Sequence, residues 1–330
     1  MPRIPGIKAT RRLRRVLVAL IGLCVLVGAV YITGEWLRCW DYRDKFPMMR
    51  GILTAVHVGD DQQRNGHLFQ SVELRTDRGI TVSACLKVPA GTDERYPAMV
   101  ILGGLRTGRR TIDYLDGTDK LIFLTLDYPY YGKKEGLGIL EFVASVPRIR
   151  RAMLETVPVI MLGVDYLLSR DDVLPDRIVL IGGSLGAIFV PAAMAADGRI
   201  AAGAMLFGAG NIGQLVRSNI DAPAVVAVPA GWVCAVLAAP VEPLTYVADI
   251  SPRPLFMLNG LDDPRIPFRC CRILHETAQA PKTIKWIETG HLNVRSKRFH
   301  EMVSRELTEW LVSQGLVETT LTGKANRTPK

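Results

Sequence analysis

Acidic residues are absent from both ends of this 330-residue chain, while basic residues are concentrated there. The first fifteen residues carry six lysines and arginines and the last nine carry three, with no Asp or Glu in either segment. These nine cations equal the formal net charge of +9, so the residues between the two ends are neutral overall. A neutral folded part offers nucleic acid no extended basic surface, which argues against a nucleic-acid-binding protein.

Cysteine and histidine are scarce, with six and five residues respectively. None of the cysteines has the spacing of metal ligands, and Cys270 and Cys271 are adjacent, which disfavours a disulfide between them. We expect buried free thiols, with at most a disulfide or two, and no bound metal. The chain has no internal repeat, and its 48% hydrophobic content predicts a packed core.

The longest apolar run follows the basic N-terminal segment. Residues 16–32 carry no charge and reach the lower limit of a membrane-spanning helix, and Tyr31, Trp36 and Trp40 are placed as interfacial aromatics. The preceding arginines favour an uncleaved signal-anchor that leaves the following residues extracytoplasmic, in the periplasm of a Gram-negative cell. The alternative is a secreted protein whose signal peptide is cleaved near Val27-Gly28-Ala29.

Beyond this run, strand-like and helix-like segments alternate. Three extended runs come first (53–58, 68–75 and 80–88), separated by turn-forming residues. Apolar strands then alternate with helices; the strands are 98–102, 121–126, 178–181, 202–207, 255–258 and 283–287, and the clearest helices are 148–168 and 299–312. This alternation predicts a doubly wound, mostly parallel sheet behind an N-terminal transmembrane helix.

The best-defined motif in the chain is RIVLIGGSLGA, residues 177–187. A β-branched run leads into a G-x-S-x-G at residues 182–186, and small apolar residues from Ala187 to Ala196 predict a following helix. Strand, sharp turn and helix with Ser184 at the apex are typical of a nucleophile elbow. Gly182 and Gly186 are expected where strand and helix crowd together. The helix N-terminus would stabilise negative charge at Ser184.

From about residue 68 to 314, on this motif and this alternation, the chain resembles the α/β-hydrolase superfamily. Its lead-in strands and the segment ISPRPL, residues 250–255, resemble the acetyl-xylan-esterase and dienelactone-hydrolase-like branches. The resemblance implies an α/β-hydrolase fold, a nucleophile–acid–histidine order along the chain, and catalysis without a cofactor.

The resemblance places the acid and the base in two later loops. Residues 259–267, NGLDDPRIP, resemble the family's G-x-x-D-x-x-V-P loop and imply Asp263 as the acid, with Asp262 as the alternative. The base is implied at His291, in the loop after the last strand. Among the five histidines only His291 is predicted at the C-terminal end of a strand, where a parallel sheet gathers its functional loops. We therefore expect a triad of Ser184, Asp263 and His291.

An oxyanion at Ser184 needs two backbone donors. The amide of Leu185 is expected to be one of them. The other is expected from the loop after strand 98–102, at Gly104, with Leu105 as the alternative. Here Leu102 stands where a histidine commonly precedes the glycines of the family. The alternative interpretation is that Gly103 and Gly104 simply form a tight turn and do not bind the oxyanion.

Two further patterns have competing interpretations. Residues 208–213, GAGNIG, match a dinucleotide-binding G-x-G-x-x-G, but Pro223 interrupts early and no acid occurs between residues 228 and 242, so we expect the glycines to shape a turn. Residues 222–241 carry no charge, and their three prolines argue against a spanning helix. They are expected either to pack in the core or to form, within 209–250, an apolar lid over an apolar substrate.

The sequence thus predicts a basic cytoplasmic tail (1–15), a signal-anchor (16–34), a lead-in segment (35–67), an α/β-hydrolase domain (68–314) and a disordered tail (315–330). The predicted function is a membrane-anchored serine hydrolase that cleaves a small-molecule carboxylic ester. Alternatives are a thioesterase or peptidase of the same fold, or a catalytically silent binding or scaffold protein. No nucleic-acid partner is expected.

Overall fold

The computed structural model describes residues 6–91, 94–115, 120–132, 138–293 and 296–318. The chain divides into two compact units, Met1–Trp40 and Asp41–Lys330. Residues 1–5 of the predicted basic tail and residues 319–330 of the predicted disordered tail lie outside the described part.

The first unit is one long helix, α1 (Gly6–Arg38). Its segment Val16–Arg38 is 23 residues long and highly apolar, and no residue of its most apolar 18-residue window is buried. At a rise of 1.5 Å per residue it extends about 35 Å, enough to cross the roughly 30 Å hydrocarbon core of a bilayer. The helix contains the predicted span and extends beyond it at both ends.

The second unit is built on a ten-stranded sheet. The strands are β1 (Leu53–Val58), β2 (Gln62–Arg64), β3 (His67–Thr76), β4 (Thr81–Pro89), β5 (Tyr96–Leu102), β6 (Ile122–Leu126), β7 (Val173–Gly183), β8 (Ala202–Leu206), β9 (Leu255–Gly260) and β10 (Lys282–Ile287). Their order is β1-β3-β4-β6-β5-β7-β8-β9-β10, with β2 paired to β3. Pairing is antiparallel from β1 to β6 and parallel from β6 to β10.

The helices of this unit cover both faces of the sheet. They are α2 (Lys45–Arg50), α3 (Ile139–Leu168), α4 (Val190–Ala196), α5 (Ile212–Asn219), α6 (Ala224–Ala238), α7 (Pro243–Tyr246), α8 (Phe268–Thr277) and α9 (Lys297–Ser313). The side chains of β6 point alternately to the helices on the two faces of the sheet. Phe123 belongs to the core cluster that also contains residues of α9, whereas Leu124 and Leu126 contact Gly163 of α3.

The parallel part of the sheet positions the site. β5, β6 and β8 are fully buried along their length, as expected for strands covered on both faces. Their short apolar runs are too short for helices and are bounded by glycine and charge, which is why the sequence predicts them well. The predicted doubly wound, mostly parallel sheet is confirmed.

The observed domain is larger than the predicted one at both ends. It begins at Asp41 instead of residue 68, since Phe46 of α2 is fully buried and β1 joins the sheet. It also continues past residue 314, because Leu316 and Val317 are buried in the same core cluster as α9.

Candidate active site

Ser184 lies at the end of β7, where the chain turns sharply. Its φ of 52° is in the left-handed region that residues other than glycine rarely adopt. A Cβ added at Gly182 would lie within 3 Å of the backbone of Gly186 and Ala187, and a Cβ at Gly186 within 3 Å of the Leu102 carbonyl group. Glycine at both positions therefore allows β7, the turn and β5 to meet closely.

The helix after the serine differs from the predicted one. Residues Ser184–Phe189 form a 3-10 helix, and the α-helix α4 begins only at Val190. Any stabilisation of charge at Ser184 by this segment therefore comes from the amides of the turn itself rather than from the end of a long α-helix.

The structure brings the three predicted side chains together. Ser184 Oγ lies 2.9 Å from His291 Nε2, and His291 Nδ1 lies 2.8 Å from Asp263 Oδ2. The side chains of His291 and Asp263 are 14% and 1% exposed. β7, β9 and β10 deliver these residues at their C-terminal ends, so serine, imidazole and carboxylate form one hydrogen-bonded line at one edge of the sheet.

Asp263 is held in its ionised form by its surroundings. Its Oδ1 accepts hydrogen bonds from the amides of Arg265, at 2.8 Å, and Ile266, at 3.1 Å. Burial alone would raise the pKa of Asp263, but the hydrogen bond from His291 and these two amides outweigh it and hold the pKa below its ordinary value. The neighbouring Asp262 is exposed, and its amide donates to the Thr289 carbonyl at 3.2 Å.

Comparison with solved structures identifies the fold that carries these residues. An acetyl xylan esterase from Paenibacillus sp. R4 is 17% identical and superposes with a TM-score of 0.64 over 83% of this chain and 98% of its own. Acetyl xylan esterase 1 from Thermoanaerobacterium sp. JW/SL YS485 is 14% identical, with a TM-score of 0.58 over 82% and 96% of the two chains. The chain has the α/β-hydrolase fold.

Comparison by sequence does not identify a family for this chain. The chain matches no protein-family model. It is 24% identical over 192 residues to a curated protein of Escherichia coli O157:H7, called uncharacterized protein YfhR. That match covers 57% of this chain and 59% of the relative's length.

In this hydrolase fold the loop after β5 lies beside the elbow. Gly103 and Gly104 line one cavity together with Gly183 of the elbow and Leu292, which follows the histidine. The Gly103 carbonyl accepts a hydrogen bond from the Tyr128 hydroxyl. The Gly104 carbonyl accepts bonds from the hydroxyl and the amide of Thr107, both at 3.1 Å. The roles of Gly104 and Leu185 as oxyanion donors stay predictions.

An apolar pocket of about 400 Å³ opens at Ser184 and His291. Its walls come from α3, the elbow, α5, α6 and the loop after β9; the apolar lining includes Ile149, Met153, Ile212, Leu215, Val216 and Leu237. Among its described lining residues, only Arg265 and His291 can carry a positive charge, and none is acidic. The segment 209–250 thus lines the pocket, as a lid would.

The sequence pattern did not single out Phe207 as part of the site. This residue follows β8 directly, is fully buried and has a φ of 54°. Its ring meets His291 edge-on, with the centroids 5.8 Å apart. One feature of the sequence could have indicated Phe207: it is the last residue of a predicted strand, at the edge of the sheet where functional loops gather. Phe207 packs against one side of the imidazole.

The glycines of residues 208–213 have packing explanations. A Cβ at Gly208 would lie within 3 Å of Ala187 Cβ, and one at Gly210 within 3 Å of Leu244. Gly213 on α5 faces the Gly231 carbonyl on α6, so these two helices approach closely. The loop also donates the amides of Asn211 and Ile212 to the Glu242 carboxylate, at 2.7 and 2.9 Å. The glycine run therefore shapes the wall of the pocket.

All six cysteines are free thiols, and only Cys270 and Cys271 are buried. Burial raises the pKa of Cys271 to about 12. Within the described ranges, no cluster of His, Cys, Asp and Glu could hold a metal ion. Of the other histidines, His275 is buried on α8 with its Nε2 3.1 Å from Asn259 Oδ1, and burial lowers its pKa to about 4.

Proposed function

We propose that this chain is a membrane-anchored serine hydrolase that cleaves carboxylic esters through a covalent acyl-enzyme. The observation that carries the proposal is the hydrogen-bonded line Ser184–His291–Asp263, opening onto an apolar pocket. Nucleophile, base and orienting acid stand within hydrogen-bond reach of one another, which is the geometry that acyl transfer requires.

The groups of the chain account for each proton. His291 Nε2 accepts the hydroxyl proton as Ser184 Oγ bonds to the acyl carbon, and then gives it to the departing alkoxy oxygen. A water molecule next attacks the acyl-serine while His291 accepts one of its protons, and the carboxylic acid leaves as Ser184 regains its proton. Asp263 holds the imidazole tautomer and stabilises the imidazolium throughout. Backbone amides at Leu185 and Gly104 would receive the oxyanion.

The lining of the pocket supports a substrate with an apolar part. Two of the similar structures are acetyl xylan esterases, which supports ester cleavage as the reaction. The pocket of this chain is walled by aliphatic side chains from α3, α5 and α6. Burying an alkyl chain there contributes roughly 0.8 kcal/mol per methylene group. We therefore propose an ester whose acyl group is longer than acetyl.

Activity-based labelling tests the catalytic part of the proposal. A fluorophosphonate probe should label the wild-type chain in proportion to its ester-hydrolysing activity. The Ser184→Ala variant should lose both labelling and ester hydrolysis. Ser169→Ala, an exposed serine at the end of α3, is the matched control and should keep both. A wild-type chain that folds, yet neither reacts with the probe nor hydrolyses an ester, would instead indicate a binding or scaffold protein.

A graded series of p-nitrophenyl esters from acetyl to dodecanoyl, with matched thioesters and anilides, tests the substrate. We expect kcat/KM to rise from acetyl to a longer acyl group and esters to exceed anilides. Activity that peaks on acetyl and disappears beyond short chains would contradict the role of the apolar pocket. Higher activity on the thioesters would assign the chain to thioester hydrolysis.

The length and apolar character of Val16–Arg38 support the membrane part of the proposal. The cluster of arginines before it would remain cytoplasmic, which places the hydrolase domain on the other side of the membrane. A cleaved signal peptide is the competing interpretation of the same helix, since a helix of this kind near the N-terminus fits both.

A further inference from the structure

Two consecutive peptide groups after β5 are fixed by hydrogen bonds to their carbonyl oxygens. The Gly103 carbonyl accepts from the Tyr128 hydroxyl, and the Gly104 carbonyl accepts from Thr107 Oγ1 and Thr107 N. A trans peptide is planar, so its N–H points opposite to its C=O. Tyr128 therefore sets the direction of the Gly104 N–H. The direction of the Leu105 N–H is set by Thr107 together with the Gly108 amide, which donates to the Gly104 carbonyl at 3.3 Å.

This loop needs such support because of its composition. Two successive glycines have more backbone freedom than any other pair, and a donor that turns freely stabilises an oxyanion poorly. The threonine pair packs on Gly103, where an added Cβ would lie within 3 Å of both Thr107 Oγ1 and Thr111 Oγ1. A Cβ added at Gly104 would meet nothing within 4 Å, so this residue borders the open cavity.

Tyr128 is well placed to be a permanent anchor. It follows β6, is only 8% exposed, and its ring packs against Phe189 with centroids 5.9 Å apart. Phe189 belongs to the 3-10 helix that begins at Ser184, so one side chain connects the glycine loop to the elbow. Burial raises the pKa of Tyr128 far above its ordinary value, so its hydroxyl keeps the proton that it donates at neutral pH.

We propose that Tyr128 is a positioning residue that holds the Gly103–Gly104 peptide so that the Gly104 N–H faces the oxyanion formed at Ser184. The inference rests on the proposed serine-hydrolase function. The two candidate donors, the amides of Gly104 and Leu105, depend on different anchors, so variants of those anchors distinguish them.

The test compares full-length Tyr128→Phe with wild type on a soluble ester, with rates normalised to active sites by fluorophosphonate titration. We expect kcat to fall about 10- to 100-fold with KM changed little, since losing a whole oxyanion-hole donor costs about 100- to 1000-fold and here the donor is only loosened. Affinity for an alkylboronic acid, which forms a tetrahedral adduct with the serine oxygen, should fall by the same factor as kcat/KM. A purely structural role would leave that affinity unchanged per titrated site.

Two control variants sharpen the result. Tyr166→Phe removes a buried tyrosine hydroxyl that accepts from Arg170 at 3.2 Å on α3, and it should leave kcat and boronate affinity unchanged. Thr107→Val removes the side-chain anchor of the Leu105 amide and should have a smaller effect than Tyr128→Phe. If Thr107→Val lowers kcat strongly while Tyr128→Phe does not, the donor is Leu105 and the proposal is wrong.

If Tyr128→Phe does not fold, Phe189→Leu provides the graded test. This variant loosens the ring of Tyr128 and keeps its hydroxyl, so kcat and boronate affinity should fall together by a smaller factor. A lowered melting temperature with unchanged kcat would overturn the proposal. Failure of the proposed function itself is separate, because it would appear as an unlabelled, inactive wild-type chain.

Discussion

At the scale of single residues, the adjacent carboxylates Asp262 and Asp263 have different surroundings. Asp263 points into the protein, where it accepts hydrogen bonds from His291 and from two amides. Asp262 is exposed and contributes its amide to the Thr289 carbonyl. The geometry therefore supports the first choice made from the sequence and gives the alternative a place in the turn.

We predict that Asp263→Asn lowers kcat about 10⁴-fold, because an amide can hold the wrong imidazole tautomer and cannot stabilise the imidazolium. Steady-state hydrolysis of a soluble ester measures the effect. Asp262→Asn makes the same chemical change one residue earlier and should keep activity within about threefold of wild type, as expected for an exposed surface change. The reverse ranking of the two variants would reassign the acid.

The depressed pKa of Asp263 also predicts a pH effect on stability. Its pKa in the folded protein lies below the ordinary value of 3.8 that it regains on unfolding. The folded protein therefore binds this proton less readily, so the contribution to stability is present above pH 3.8 and is lost as pH falls through the lower folded value. The melting-temperature difference between wild type and Asp263→Asn should shrink over that interval. A difference independent of pH would contradict the ionised, hydrogen-bonded carboxylate.

The residues found from sequence and those missed differ in the kind of signal they leave. Ser184 and His291 sit in turns at strand ends, where glycine and chain order mark them. Phe207 and Tyr128 act through packing and one hydrogen bond across distant segments. An aromatic residue near a strand end is usually core, so nothing in the local pattern distinguishes these two.

At the scale of elements, the crossing of β7 with β5 depends on two glycines. We predict that Gly186→Ala is destabilising, because the new methyl group would lie within 3 Å of the Leu102 carbonyl group and no flexible side chain can yield. Overpacking of this kind costs about 1–3 kcal/mol, which lowers the melting temperature by roughly 2–5 °C in a domain of this size. Gly198→Ala adds the same methyl group in an exposed turn, where no atom lies within 4 Å of the added Cβ, and it should change the melting temperature little.

Helix α6 forms a wall of the pocket, so filling that wall should change acyl selectivity. We predict that Leu237→Trp lowers kcat/KM for long acyl esters at least about tenfold while sparing short ones, since one methylene in such a pocket is worth about 1–3 kcal/mol. The control is Val225→Trp on the same helix, where the side chain is 79% exposed. Equal loss on all chain lengths would indicate general damage rather than a blocked acyl site.

Proline tolerated by packing explains why the sequence pattern placed the start of α3 too late. α3 begins at Ile139 and contains Pro147 and Pro158, although the pattern predicted a start at Arg148. α6 also contains a proline, Pro229, one of the three that argued against a membrane-spanning helix in residues 222–241. The buried face of α6 is made of small residues, and Gly231 faces Gly213 of α5. Contacts between helices outweigh the local cost of a proline, and a single sequence does not show those contacts.

At the scale of the whole molecule, charge and hydropathy divide the chain. The excess of basic over acidic residues lies at the two ends, and the unit from Asp41 onward carries the sheet and the site. In the described part, two helical segments are long and apolar enough to cross a membrane. In the most apolar 18-residue window of Ala224–Ile250, 39% of the residues are buried within the domain, and Cys234, Leu237 and Ala238 of this segment line the pocket. In the corresponding window of Val16–Arg38 no residue is buried.

We therefore predict that Val16–Arg38 holds the protein in the membrane and that the hydrolase site does not depend on it. Leu20→Arg combined with Val27→Arg places two charges in the middle of the span, each costing about 2.5–3.5 kcal/mol in the bilayer. The protein should move from the carbonate-resistant membrane fraction to the soluble fraction while ester hydrolysis per titrated site stays unchanged. Val58→Arg, on an exposed position of β1, should leave the chain in the membrane fraction.

Mass spectrometry of the wild-type protein separates the two interpretations of this helix, because an anchor keeps residues 16–38 and a signal peptide is removed near Ala29. A soluble wild-type protein that begins after that position would show that the helix directs export and does not tether the enzyme.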